Sequence, residues 1–182
     1  LYELKADMAA YLAEYGPTAP IKTLADVIAF NEKHRAQTMP FFGQEHFINA
    51  QAKGGLDSQE YLDALANNHR YSRAEGLDQV LQQHQLDALV APTGGPAWLT
   101  DLINGDASGA SFTSPAAVAG YPHITVPCGA VQGLPIGLSF VGTAWSEGPL
   151  IAMAYAYEQA SKQRHPPTYA KSRNPKQPTG LK

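Results

Sequence analysis

Apolar residues recur every three to four positions through the first 84 residues, a spacing that is typical of amphipathic helices. Thr23 and Asp26 have the spacing of a capping box that opens the second of these helices. Asp57 and Glu60 repeat that spacing ahead of the longest periodic run, which Gly76 is expected to interrupt. Helices are therefore predicted over residues 2–15, 23–34, 43–53 and 57–84.

From residue 86 the pattern changes to short apolar runs that are bounded by Gly and Pro. Ser114 is expected to cap a short helix that ends at Gly120, and Ser146 to cap a last helix over 147–163. A Gly- and Asp-rich loop over 93–113 precedes the short helix. It exceeds the length of passive connections, so it is either functional or poorly ordered. Strands are predicted over 86–91, 124–127 and 136–141, the last two joined as a hairpin.

Three such strands are too few to hide their apolar faces and edges by themselves. The fold class is therefore predicted as α/β, a portion of a larger sheet with helices packed on a few strands. The chain begins at Leu1 with no leader pattern, and it is interpreted as a piece of something longer. We divide it into a helical segment (1–85), an α/β part (86–163) and a basic, Pro-containing tail (164–182).

Composition and charge narrow the classes of function. Charged residues make up 16% of the chain, against about 25% in average domains, which disfavours disorder. Residues 1–160 carry 16 acidic and 7 basic side chains, whereas residues 161–182 carry 6 basic and no acidic ones. Nucleic-acid binding would require a basic face on a folded element, so we expect no nucleic-acid partner. No apolar run approaches the length of a membrane span, and the single cysteine, Cys128, excludes an internal disulfide.

Three segments carry a resemblance to a known family. They are Leu-Asp-Ala-Leu-Val-Ala-Pro-Thr (86–93), Thr-Ser-Pro-Ala-Ala-Val-Ala-Gly-Tyr-Pro-His-Ile-Thr-Val-Pro (113–127) and Gly-Leu-Pro-Ile-Gly-Leu-Ser-Phe-Val-Gly (133–142). In this order and spacing they resemble the C-terminal part of the amidase signature family. Phe-Gly-Gln-Glu (42–45) and Gly-Gly-Pro-Ala-Trp (94–98) are most similar to its peptide-amidase-like branch.

The resemblance implies a mixed-sheet fold and hydrolysis of carboxamides by a serine nucleophile, a bridging serine and a lysine base. The family's Gly-Ser-rich signature is absent from this sequence, and no lysine or arginine occurs between Arg73 and Lys162. We therefore expect no catalytic residue in this chain. The Ser-Ser-Lys group is expected on a missing N-terminal amidase portion. That portion is the expected partner of this chain, and the chain alone is expected to be inactive.

Substrate contacts are the remaining candidates. The loop before the short helix lies near the substrate cleft in the family, so Ser111 and Thr113 are candidates for contacts with a small-molecule or peptide amide. Trp98 follows a strand end and is a candidate aromatic wall. A Ser-His-Asp site is disfavoured because no Gly-x-Ser-x-Gly pentapeptide occurs, and Ser114 is better explained as a cap.

Metals and cofactors find no support in the sequence. The six histidines lack paired ligand spacing, and no phosphate-cradling glycine loop precedes a helix. His123 is interpreted as a packed, hydrogen-bonded histidine and Cys128 as a small packed residue.

Two alternatives to the hydrolase stay open. One is a non-catalytic binding or scaffolding subunit. The other is a transamidating amidotransferase subunit, in which an acid three residues before the matching threonine helps to hold an ammonium group. Here that position is Ala110, which disfavours free glutamine as substrate because a buried ammonium would lack its counter-charge.

Overall fold

The computed structural model describes residues 1–167, and it shows an α/β arrangement of helices around a small sheet. Part of the predicted basic tail, residues 168–182, lies outside the described residues. No helix within 1–167 has the length and hydrophobicity that crossing a membrane requires. The helices are α1 (Tyr2–Tyr15), α2 (Leu24–Lys33), α3 (Arg35–Thr38), α4 (Glu45–Gln51), α5 (Gln59–His69), the π-helical segment π1 (Arg70–Leu77), α6 (Asp78–Gln83), α7 (Ser114–Ala119) and α8 (Glu147–Ser161), and the strands are β1 (Leu89–Pro92), β2 (His123–Val131) and β3 (Leu134–Val141).

The sheet has the order β1-β3-β2, and both pairings are antiparallel. The predicted hairpin is confirmed: Val131 pairs with Leu134 across a two-residue turn, Gln132-Gly133. Both turn residues have positive φ (50° and 81°), as the tight turns that match strand twist require. A bulge between Pro127 and Gly129 bends β2. Within the described chain, β3 pairs on both sides, whereas β1 and β2 each pair on one.

Successive residues of β3 enter two separate cores, because side chains alternate across a sheet. Val141 is fully buried under π1, α6 and α7, and the neighbouring Phe140 lies under α8 on the opposite face. The first core contains Leu77, Leu81, Ala116, Ala119 and Val141, and the second contains Val126, Phe140, Leu150 and Ala154. The end of the predicted helical segment thus covers one face of the sheet.

The first four helices form a group that is joined to α5. The predicted capping box of α2 is confirmed: Thr23 Oγ1 accepts from Asp26 N at 3.2 Å, and Asp26 Oδ2 accepts from Thr23 N at 2.9 Å. The N–H groups of Lys22 and Thr23 and the Thr23 hydroxyl hold the pKa of Asp26 below its usual range. Tyr2 and Tyr61 bring α1 and α5 together, with ring centroids 5.6 Å apart.

The long predicted helix is divided, as expected, at Gly76, where φ and ψ are −123° and −110°. Its start differs from the prediction. Ser58, rather than Asp57, is the N-cap residue, and its hydroxyl closes a turn by donating to Gly55 O at 2.7 Å. Glu60 forms an ion pair with Lys53 at 3.0 Å, so the predicted second capping box does not form.

The first strand begins three residues later than predicted. After α6, Gln85 adopts a left-handed conformation (φ 50°) and Leu86 N donates to Leu81 O at 2.8 Å, which closes the helix end with a Schellman-type bond. Leu86 therefore belongs to the helix cap, and its exposed fraction is 44%. Val90 is 52% exposed on this edge strand of the described chain, as expected if three strands are too few to hide their apolar faces by themselves.

The predicted cap at Ser114 was also wrong. Thr113 is the N-cap residue of α7, Ser114 is the first helical residue, and no side chain caps the helix. Gly120 ends α7 in the left-handed region (φ 69°), as predicted. Ser146 stands at the N-cap of α8, but its hydroxyl donates to Thr143 O at 2.7 Å instead of capping the helix.

These caps predict different responses to substitution. Thr23→Ala removes a reciprocal cap and should lower the free energy of unfolding by about 1 kcal/mol. Ser114→Ala removes a hydroxyl with no capping bond and should change it by less than about 0.5 kcal/mol. Urea unfolding of the two variants beside the unchanged chain checks this, and equal losses would contradict the cap assignment.

Candidate functional site

The long loop over 93–113 is closed at its base. Phe112 N and Ser111 Oγ both donate to the carbonyl of Thr93, at 3.1 and 3.2 Å. Just beyond this point Gly95 and Gly109 face each other: a methyl group built on Gly95 would stand 3.9 Å from Gly109. The loop therefore leaves the sheet through a narrow neck, in the manner of an Ω-loop.

The tip of the loop is held by its own side chains. Trp98 Nε1 donates to Asp106 Oδ1 at 3.1 Å. Asp101 Oδ1 accepts from the N–H groups of Asn104 and Ile103, each at 2.9 Å. The backbone and side-chain N–H groups of Asn104, with that of Ile103, hold the pKa of Asp101 below its usual range, so this carboxylate is ionised at neutral pH.

An open cavity of about 490 Å³ lies where the loop neck meets the sheet. Ser111 and Thr113, the two hydroxyl residues predicted to contact substrate, both line it, and their oxygens are 2.9 Å apart. The complete lining is Thr93, Gly94, Gly95, Ser111, Thr113, Thr125, Val126, Pro127, Pro135, Ile136 and Gly137. No ionisable side chain of the described residues belongs to this set, so the cavity is electrically neutral.

Trp98 lies elsewhere. It lines a second concavity of about 730 Å³ that residues 98–107 form within the loop tip, and its side chain is 44% exposed. The structure therefore brings Ser111 and Thr113 together and leaves Trp98 in a separate place.

A row of polar side chains under the cavity was missed by the sequence analysis. Ser139 Oγ donates to Thr93 Oγ1 at 2.8 Å, and Thr93 Oγ1 lies 2.5 Å from Thr125 Oγ1. His123 Nε2 lies 2.6 Å from Ser139 Oγ at the other end. The alternation of His123 and Thr125 along β2 is a signal for one shared face, but their meeting with Ser139 depends on strand register.

The interpretation of His123 as a hydrogen-bonded histidine agrees with this contact. Its partner Ser139 is fully buried on the central strand, so the bond is partly shielded from water. Gly137 makes the row possible, since a Cβ there would collide with Thr125 Oγ1 and stand 2.8 Å from Thr93 Oγ1. The absence of a side chain at Gly137 therefore lets the hydroxyls of Thr93, at the end of β1, and Thr125, on β2, meet across β3.

Metal ligands are not gathered anywhere in residues 1–167: no three His, Cys, Asp or Glu side chains form a group that could hold an ion. Cys128 is half-buried on β2 and unpaired among the described residues.

A family model described as Amidase matches residues 2–151. The chain belongs to the amidase signature family. A protein of Arabidopsis thaliana named as a probable amidase is 36% identical to it over 171 residues, which are 93% of this chain and 30% of that protein. A glutamyl-tRNA(Gln) amidotransferase subunit of a Synechococcus strain is 47% identical, over 91% of this chain and 33% of that protein.

A crystal structure of a peptide amidase in complex with the competitive inhibitor chymostatin has the same fold. It is 49% identical to this amidase chain, with a TM-score of 0.87, and the match covers 91% of this chain and 34% of that one. The predicted α/β amidase fold is thereby confirmed. The chain spans about a third of the length of the relatives it matches.

The buried hydroxyl of Ser139 should contribute measurably to stability. Ser139→Ala removes the partner of both His123 and Thr93, so the free energy of unfolding should fall by about 1–3 kcal/mol. Ser111→Ala, at an exposed position of the cavity above the row, is the control and should cost less than about 0.5 kcal/mol. Denaturant titration of both variants measures the difference, and a Ser139→Ala chain as stable as the control would disprove this account of the row.

Proposed function

We propose that the whole protein hydrolyses carboxamides, with peptide amides as the favoured class, and that this chain recognises the substrate. In this proposal the serine pair and the lysine of the amidase reaction lie on a portion that precedes residue 1. The observation that carries it is the neutral cavity lined by hydroxyl groups at the neck of the 93–113 loop. The chymostatin complex of the similar peptide amidase adds support, since that protein binds a competitive inhibitor.

The cavity suits binding better than catalysis. A serine or threonine nucleophile needs a base within hydrogen-bond reach to take its proton. Here the hydroxyls of Ser111 and Thr113 contact each other, and no ionisable side chain of residues 1–167 lines the space. We infer that Ser111 and Thr113 contact the substrate and that another part of the protein supplies the nucleophile.

Trp98 belongs to the same proposal as an aromatic contact for substrate side chains. Its ring is about half exposed at the loop tip, and the bond from its indole N–H to Asp106 fixes its orientation. A substrate that extends from the neck toward the tip would meet this ring after passing the cavity.

Transamidation is the second candidate, because the Synechococcus amidotransferase protein is among the similar proteins. The cavity argues against a free amino acid in this space: Ala110 is exposed in the loop, and no carboxylate of the described residues lines the cavity to balance an ammonium group. An uncharged peptide amide needs no such counter-charge.

The missing amidase portion also has a candidate surface on this chain. A groove of about 460 Å³ between π1, α7 and β1 is lined mainly by apolar side chains, among them Tyr71 and Val118, which are 59% and 45% exposed. Exposed apolar side chains in one groove mark a surface that another part of a protein covers. We propose that the rest of the amidase packs here and against the unpaired strand edges.

The full-length protein should release ammonia from N-acylated amino-acid amides, whereas the isolated 182-residue chain should release none. An ammonia assay of both proteins on the same substrate measures this. Free glutamine as a second substrate separates the two candidates: a preference for glutamine would favour transamidation. Ammonia release by the isolated chain would contradict the placement of the catalytic residues.

The isolated chain should associate with itself, because its groove and strand edges have no cover. Sedimentation velocity at several concentrations should show species larger than a monomer. Val118→Ser, which makes the groove more polar, should shift the distribution toward the monomer, and Ile48→Ser, at an exposed apolar position of α4 outside the groove and the strand edges, serves as the control. A monomer at all concentrations would mean that these surfaces need no partner.

A further inference from the structure

Counting the hydroxyl protons in and beneath the cavity shows which hydroxyls can donate to a ligand and which can only accept. Each hydroxyl has one proton to donate and two lone pairs that accept. Ser139 donates its proton to Thr93 Oγ1 at 2.8 Å. Its contact with His123 Nε2 at 2.6 Å must therefore use a ring N–H, which places a proton on Nε2 of His123.

Thr93 and Thr125 form the first pair. Their oxygens are 2.5 Å apart, and this bond uses one of their two protons, whichever of them donates. Neither hydroxyl donates to any other group of residues 1–167, and both line the cavity. One O–H of this pair is therefore left for an acceptor in the cavity.

Ser111 and Thr113 form the second pair, and their count is different. Ser111 Oγ donates to the carbonyl of Thr93 at 3.2 Å, so Thr113 supplies the proton of the 2.9 Å bond between the two hydroxyls. Both protons are then used. Ser111 Oγ also accepts from the backbone N–H of Thr113 at 3.4 Å, so its two lone pairs are occupied and the pair presents only the lone pairs of Thr113 Oγ1 to the cavity. The first pair is a donor and the second is an acceptor.

We propose that these two pairs bind the carbonyl oxygen and the N–H of one amide unit of the substrate. The Thr93–Thr125 pair donates to its carbonyl oxygen, and the Ser111–Thr113 pair accepts from its N–H. This deepens the proposed function and rests on it. The unit meant is the secondary amide formed by the substrate's acyl group, which offers one acceptor and one donor and carries no charge, and this suits a cavity without ionisable side chains.

The donor pair is held from beneath. Ser139 is fully buried and occupies one lone pair of Thr93, and Gly137 leaves the space in which the two threonines meet. Ser139 and His123 are therefore positioning residues for this pair, because neither lines the cavity itself.

The donor is tested in the full-length protein by steady-state kinetics on an N-acylated amino-acid amide. Thr93→Val combined with Thr125→Val keeps the shape and removes both hydroxyls of the pair, and it should raise KM roughly tenfold while kcat changes less than about twofold. Thr125→Val alone leaves the Thr93 O–H free to donate, so it should keep KM within about twofold, which a defect caused by the altered shape would not allow. Thr18→Val, at an exposed threonine between α1 and α2, is the control and should leave both constants unchanged.

The acceptor is tested with an ester analogue of the substrate. In this analogue oxygen replaces the N–H of the acyl amide, and the terminal carboxamide that is hydrolysed is unchanged. The unchanged protein should bind the analogue roughly tenfold more weakly, as judged by KM. Thr113→Val should remove most of that difference, whereas Thr125→Val should retain it.

The outcomes separate the two levels of the proposal. If the unchanged full-length protein hydrolyses no acylated amide, the proposed function fails and this inference fails with it. If it is active but the Thr93→Val/Thr125→Val double variant leaves KM within about twofold, the donor assignment alone is overturned. An ester-to-amide ratio that is the same in Thr113→Val and the unchanged protein would overturn the acceptor assignment.

Discussion

The register of β3 is the constraint on which the sheet region depends. Within the described chain this strand pairs on both sides, and its last two residues, Phe140 and Val141, enter opposite cores at exposures of 7% and 0%. A shift of one residue would exchange every inward and outward side chain of the strand. The same register that buries Val141 also places Ser139 and Gly137 beside the loop neck. The register of β3 therefore determines both the packing of the two cores and the position of the polar row beneath the cavity.

The sequence predicted the parts of this fold that depend on local signals. The capping box at Thr23, the interruption at Gly76 and the left-handed end of α7 at Gly120 all occur where the pattern places them. The errors have a common cause. Ser114 and Asp57 have cap chemistry, but the chain starts each helix one residue away from the predicted cap, and Leu86 is drawn into a helix end. Competing local bonds, which the residue pattern does not rank, decide these boundaries.

For the candidate site, sequence reasoning identified the loop but not what lies under it. Ser111 and Thr113 were predicted as candidate contacts through the family resemblance, and they line one cavity. Thr93, Thr125 and Ser139 come from three strands or strand ends, so their meeting follows from antiparallel register and from the missing side chain at Gly137. No spacing along the chain contains that information. Trp98 shows the converse, since closeness in sequence to Thr93 does not bring it to the same cavity.

The hydrogen-bonded neck of the 93–113 loop allows the sequence and length of the loop to change without changing the sheet. Because Ser111 and Phe112 both bond to the carbonyl of Thr93, the two chain ends stay at one distance whatever lies between them. Loop-closure entropy rises only slowly with length, so insertions and deletions in residues 96–108 cost little. The tip can thus be lengthened, shortened or replaced during evolution while the strands beneath it remain unaltered. Related chains can differ in this loop and keep the same core.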